Sequence, residues 1–514
     1  MKNIERIRII ISSMSKSEKR GFNIYCTTQN GDKGYMRLFD IIENFPKEKY
    51  EKLESEFLDS TKNKNIEIAA GYLYNQMLDF LVSKRPKKEI QSQIFKMIEK
   101  ANILFERKLI DEAFDSLNQA SNHAALYDAE MMQMIIAKTE MYFLSILGFP
   151  SLSEKQLISK QVKLQELMKY SRTINQSYFL RDILNHRLLH KSLVSLKEKK
   201  EELNDLVLSE LSLISNSPFS NTQVEKLHLL FQSTYYLETG NYVSAVRNYK
   251  QLIVLFTENS HLKQNPPIYY LNALEGVLES LLAMGIYKEM QHFEESLRLL
   301  NKKDYPTEFQ LKVLWLDYYY QIIVIIHLGD FVKAETIQDQ FRESLLNKIT
   351  LLPLDIQLQF HLVNTILLCS QNKFTEAHKT IRNILAEGKI FQQLPLFRVA
   401  RLVNLMIKAE LGDLNYLENE IIALKRNLNS ERLSKTEKIV FKFVQSYPLP
   451  QYQKSKIKLW SYYVKKMKSI RVEKYERRFL KHFDFLSFIE SRLTNVPLKE
   501  VLIKNNILKN HKEK

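Results

Sequence analysis

The stretch DILNHRLLH sets Asp182, His186 and His190 four residues apart, residue types that bind divalent metals, on one stripe of a helix. The hydrolytic zinc motif needs a glutamate directly after its first histidine, and Arg187 stands there instead. Successive helical turns also rise by about 5.4 Å, so three groups in one stripe converge poorly on a single ion. A polar helix face is the expectation, with no metal. Gly31 and Gly34 in QNGDKGYMRLF match neither a phosphate-binding loop nor a dinucleotide fingerprint. No Ser-His-Asp or Cys-His-Asn arrangement can be assigned. The expectation is a chain with no catalytic residues and no cofactor, hence not an enzyme.

Two further constellations concern binding. In LFRVARLVNLMIKAEL, Arg398, Arg401, Asn404 and Lys408 share a helix face opposite Val399, Leu402, Val403 and Met406. Set along a groove, such a face suits an acidic peptide or a C-terminal carboxylate, so a protein or peptide partner of acidic character is the expectation. In SIRVEKYERRFLKHFDFLSFIESRL, read as one helix, Arg471, Lys474, Arg478 and Lys481 fall on one side. Val472, Tyr475, Phe479, Phe483, Leu486 and Leu493 fall on another. Just before it, QKSKIKLWSYYVKKMK places six lysines around Trp460, Tyr462 and Tyr463. The alternative partner is therefore nucleic acid, held by basic C-terminal helices.

Charge is uneven along the chain. The net charge is +16, and residues 451–514 hold 17 Lys and Arg against 6 Asp and Glu, so most of the excess sits in the tail. Only 11 Gly and 12 Pro occur in 514 residues, a balance that favours helices. Two cysteines, Cys26 and Cys369, supply neither a disulfide framework nor a four-ligand zinc site, which fits a reducing compartment. The N-terminal apolar run Ile9 to Ile11 is too short for a signal peptide. LKVLWLDYYYQIIVIIHL is interrupted by Lys312 and Asp317, so no membrane insertion is expected and the protein reads as soluble and cytoplasmic.

The elements that must position these groups follow a period. ETGNYVSAV, AMGIYKEMQ, HLGDFVKAE, SQNKFTEAH and ELGDLNYLE align on Gly240, Gly285, Gly329, Asn372 and Gly412, at intervals of 45, 44, 43 and 40. Two positions on stand Tyr242, Tyr287, Phe331, Phe374 and Leu414, expected to plug a bend. Five positions on stand Ala245, Met290, Ala334, Ala377 and Leu417, expected where two helices cross. Gly or Asn closes the first helix of each hairpin in the left-handed conformation. Fainter copies centre on Lys108, followed by Ile110, Ala113, Leu117 and Ala120, and on Gly148, with another hairpin expected near Leu196 to Leu211. Tyrosines in STYYLE, PIYYLN and LDYYYQ are expected to pack mostly between helices.

Small residue, aromatic and alanine at these offsets resemble the tetratricopeptide repeat, although the unit here is 40 to 45 residues and the early Trp and terminal Pro are missing. The resemblance implies a right-handed superhelix with a concave groove for protein or peptide. The opening SKSEKRGF and the late FDFLSFIESRL resemble the ends of an uncharacterised helical-repeat family of Bacteroidota-type bacteria, which carries no assigned activity.

Near the two ends, SMSKSEKRGFNIY and RLSKTEKIVFKFV each contain S-x-x-E, Ser15 with Glu18 and Ser434 with Glu437, the signature of a helix capping box. A rival reading makes Lys16 and Lys19, or Lys435 and Lys438, part of an anion site at a helix start. The expected architecture is an all-α, right-handed solenoid of seven or eight antiparallel helix pairs. It has a helical N-terminal cap at 1–64, a tetratricopeptide-like array at 65–447 and a basic helical C-terminal cap at 448–514. The expected role is a non-enzymatic scaffold or adaptor.

Overall fold

The structure is a computed structural model of the chain. It describes residues 2–27, 34–44, 56–57, 65–84, 90–150, 152–190, 196–215, 222–263, 267–302, 305–386, 395–427, 433–473, 476 and 480–510. Among these residues there are helices and no strands, so the fold is all-α. The chain divides into two compact units, one of Met1–Leu167 with 264–266 and 303–309, the other of the remaining residues.

In the first unit the helices are α1 (Lys2–Ser13), α2 (Lys16–Thr27), α3 (Gly34–Asn44), α4 (Ile66–Lys84), α5 (Ile90–Glu106), α6 (Ile110–Leu126), α7 (Glu130–Ile146) and the start of α8 (Glu154–His190). Phe22, Phe39 and Phe80 centre one core among α1 to α4, with Ile7, Ile11 and Leu73 around them. A second core joins α5, α6 and α7, where the rings of Phe105 and Phe143 stack with centroids 3.9 Å apart. The lone Cys26 is buried in the first core.

The second unit continues α8 and adds α9 (Leu196–Ser215), α10 (Thr222–Glu238), α11 (Tyr242–Glu258), α12 (Ile268–Met284), α13 (Tyr287–Arg298), α14 (Thr307–Leu328), α15 (Phe331–Phe341), α16 (Leu354–Ser370), α17 (Phe374–Ala386), α18 (Pro395–Glu410), α19 (Leu414–Asn427), α20 (Lys435–Val444), α21 (Gln453–Val472), α22 (Phe485–Thr494) and α23 (Leu498–Asn510). Sequential neighbours pack together, as in α10 on α11, α11 on α12 and α16 on α17. Next-but-one neighbours also touch: α10 meets α12, and α16 meets α18.

The bends between paired helices share one backbone solution. At Gly240 the N–H donates to the Leu237 carbonyl at 3.2 Å, and the next N–H, of Asn241, reaches back to Tyr236 at 2.8 Å. This pair of bonds recaps the last carbonyls of a helix through one left-handed residue. The same two bonds recur at Gly285, Gly329, Asn372 and Gly412, every one with positive φ. They recur again at Lys108, Asp128 and Gly148. Holding a residue with a side chain, such as Lys108 or Asp128, in this conformation costs about 1 kcal/mol, which the surrounding packing must offset.

Position five after each turn behaves as its small or slim side chain demands: Ala245, Met290, Ala334, Ala377 and Leu417 are all buried. Position two is less uniform. Tyr242 is buried, whereas Tyr287, Phe331 and Phe374 are half-buried and Leu414 is exposed, because this residue opens the second helix at the outer lip of the bend. Closeness between helices reaches its limit at Gly276 of α12, where an added Cβ would come within 2.1 Å of the Tyr249 ring of α11. Burial raises the Tyr249 hydroxyl pKa well above the ordinary phenol range. In LDYYYQ, Tyr318, Tyr319 and Tyr320 are all buried, and the Tyr318 hydroxyl donates to Asn364 at 2.8 Å.

Two stretches differ from the expected elements. A single helix, α9, runs unbroken through Leu196 to Leu211, and its hairpin partner is the end of α8, joined by the Arg187–Asp205 pair at 2.7 and 2.9 Å. With 37 residues, α8 is also far longer than the hairpin arms elsewhere. The basic stretch from Ser469 to Leu493 is not one helix: α21 ends at Val472, Glu473 is extended, and α22 starts afresh at Phe485. Asp484 caps that new start by accepting the Ser487 N–H at 3.0 Å. Phe483, Leu486 and Leu493 are buried as the apolar pattern requires. α14 is long and apolar enough to cross a membrane by length and composition, with 72% of its most apolar window buried within the protein.

Candidate functional site

Both expected capping boxes are formed. Ser15 N–H donates to Glu18 at 2.8 Å and Glu18 N–H to the Ser15 hydroxyl at 3.2 Å. Ser434 and Glu437 repeat the exchange at 2.8 and 3.0 Å. A third box, missed by reading the sequence although SLSEKQ carries its S-x-x-Q signature, joins Ser153 and Gln156 at 2.9 and 3.3 Å. At α20 an anion does occupy the helix start, and the chain itself supplies it. Glu476 accepts the N–H groups of Lys435 and Thr436, while Lys435 Nζ pairs with Glu473 at 2.8 Å and Lys438 is exposed. At α2, Lys19 pairs with Glu43 at 2.7 Å and Lys16 is exposed.

The four polar residues of α18 form a seam between neighbouring helices. Arg398 is buried and forks onto the buried carboxylate of Glu437, with Nη2 2.5 Å from Oε2. One carboxylate thus closes the capping box and holds α20 to α18. Arg401 meets Glu420 of α19 at 2.6 Å, and buried Asn404 donates to the Tyr416 hydroxyl at 2.8 Å. Lys408 reaches Asp413 in the following bend at 2.9 Å, with its ammonium 5.0 Å from the centre of the Tyr416 ring. Lys408 holds the Asp413 carboxyl below the usual carboxylate range by donating this bond. Each of the four thus has a partner within the chain, Arg398 on α20 and the other three on α19 or the bend before it.

The basic tail divides in the same way. Arg471 donates to Asp484 at 3.2 Å and to the Ser487 hydroxyl at 3.1 Å, while Lys481 pairs with Glu279 of α12. Lys474 and Arg478 lie outside the described residues. Arg492 of α22 was not singled out beforehand. It donates to Asn372 at the α16–α17 bend at 2.5 Å, lies 2.8 Å from Glu410, and spreads its guanidinium over Phe374 and Phe488. Lys499 of α23 packs its backbone against Gly329. The C-terminal segment therefore rests on two of the repeated bends.

One further polar group lies among α8, α9, α10 and α12. Buried Glu210 meets His228 Nδ1 and Gln232 Nε2 at 2.5 and 2.8 Å, one helical turn apart on α10. Buried Lys226 and half-buried Arg181 both approach the ring of Tyr269, at 4.7 and 5.4 Å from its centre. Asp182 is exposed beside Arg181, and the side chain of His190 lies outside the described residues. Among the described residues no three His, Cys, Asp or Glu side chains come close enough to share a metal ion.

Fold and contacts together define an all-α protein whose helices meet at recurring bends and are tied by ion pairs between helices and by a basic C-terminal segment. No protein-family model, curated protein or solved structure matches the chain.

Proposed function

We propose that this protein is a non-enzymatic scaffold or adaptor, whose hairpins stack as a right-handed solenoid of antiparallel pairs and offer a concave groove to a protein or peptide partner. The observation that carries the reading is the single backbone bend repeated at Gly240, Gly285, Gly329, Asn372 and Gly412. Equal bends at nearly equal spacing let successive hairpins share apolar seams, the condition for a helical array that grows by stacking. Contacts between next-but-one helices support the same reading.

Within the seam on α18, Arg401 and Lys408 are the groups a partner can engage, because their ion pairs are only partly buried. A partner carboxylate would exchange for Glu420 or Asp413, while buried Arg398 and Asn404 support the helix behind them. The test is cross-linking of the full chain in lysate of its native host, followed by mapping of the cross-linked positions. Cross-links on α18 and α19 to one saturable protein, lost in Arg401→Glu/Lys408→Glu, are expected. Capture that is indifferent to both substitutions overturns the assignment.

A further inference from the structure

The helix α21 carries seven Lys and Arg and no Asp or Glu over its 20 residues. Met467, Tyr463 and Ile470 are buried and fix which side faces inward. At 100° per residue this leaves Lys454, Lys458, Tyr462, Lys465, Lys466 and Lys468 within a single outward arc, and all six are exposed. From Lys454 to Lys468 the row extends about 21 Å along the helix axis.

Acidic residues nearby are engaged elsewhere. Glu473 pairs with Lys435, Glu476 accepts the N–H groups at the start of α20, Asp484 holds Arg471, and Glu490 accepts from Asn505 at 3.2 Å. None of Lys454, Lys458, Lys465 and Lys468 has a carboxylate partner among the described residues. Beside them, Lys442 of α20 and Lys466 converge on the Tyr462 hydroxyl, donating at 2.7 and 2.5 Å. Two ammonium groups share one neutral oxygen there, an arrangement that favours an added anion. The same two donors hold the Tyr462 hydroxyl pKa below the ordinary phenol range.

We infer that this face of α21, with Lys442, binds the phosphate backbone of a single-stranded nucleic acid. Arg471 and Lys481, engaged with Asp484 and Glu279, position the helix and leave the ligand to the lysine row. Lysine ammoniums act as point charges, which suits a flexible phosphate chain, whereas carboxylate recognition favours the two-pronged arginine fork. Tyr452, 81% exposed just before the helix, offers a ring to unpaired bases, which a duplex keeps stacked inside. A membrane surface would call for a continuous outward apolar stripe, whereas on α21 Ile457 is exposed among lysines, Leu459, Trp460 and Val464 are half-buried, and Met467 and Ile470 are buried.

The test measures anisotropy of a labelled mixed-sequence single strand of about 20 nucleotides against the full chain, between about 50 and 200 mM salt. Six lysine contacts, the five of α21 and Lys442, give a log–log salt slope of about −4. Replacing Lys454, Lys458, Lys465 and Lys468 together by Gln should weaken binding more than about tenfold and flatten the slope by about 3. The circular dichroism spectrum should not change, since these side chains hold no ion pair. Replacing Lys96, Lys155, Lys163 and Lys169 by Gln removes equal charge from other exposed sites and should leave binding within about twofold. Absence of binding at the lowest salt overturns the inference, as does an equal loss in the control variant. So does tighter binding of the corresponding duplex, of polyglutamate or of phosphatidylserine vesicles through the same lysines. Because Arg401 and Lys408 are intact in every variant, failure here leaves the scaffold reading standing.

Discussion

Glu476 accepts three hydrogen bonds at the first turn of α20, from the Lys435 N–H at 2.8 Å and from the N–H and hydroxyl of Thr436 at 3.0 and 2.5 Å. The carboxylate is buried where the helix dipole is positive, so its charge and its acceptors are both used. Glu476→Gln keeps the shape but turns an amide donor toward N–H groups. A loss of about 2 kcal/mol in urea unfolding is expected, in the range for hydrogen bonds to charged groups. An unchanged midpoint would remove Glu476 as the cap.

Arg398 and Glu437 lead to a less intuitive expectation. Arg398→Met leaves the Glu437 carboxylate buried without its counter-charge, a change that costs about 3 to 5 kcal/mol. Adding Glu437→Gln should recover part of that loss, because glutamine still closes the capping box with Ser434 and carries no charge. Chemical denaturation of both single variants and the double variant checks this. A double variant less stable than Arg398→Met alone would contradict it.

Gly276 and Tyr249 give a steric test. An alanine methyl at Gly276 would enter the Tyr249 ring, so Gly276→Ala should destabilise by about 1 to 3 kcal/mol through overpacking. Tyr249→Leu in the same chain removes the obstructing ring atoms and should return part of the difference in thermal unfolding. Lack of any coupling between the two substitutions would mean that the helices separate freely.

The bends were legible because Gly and Asn advertise a left-handed residue, and the slim position five on confirmed the phase of each copy. Asp128 makes the same bend, yet aspartate is ordinary in many turns and gave no such signal. The α18 face was legible from spacing, but its partners were not. Glu437 and Glu420 stand 39 and 19 residues away and meet α18 only through helix packing. The break after Val472 had no proline or glycine to mark it. It follows from Glu476 being drawn to α20 and from Asp484 starting a new helix, both long-range or local polar choices that apolar periodicity does not register.

The chain enters and leaves those bends in the same backbone geometry, yet two of them also carry a distant part of the sequence. Arg492 on Asn372 and Lys499 on Gly329 clamp one segment onto both joints, so the distance between the joints and the span from residue 492 to residue 499 are set together.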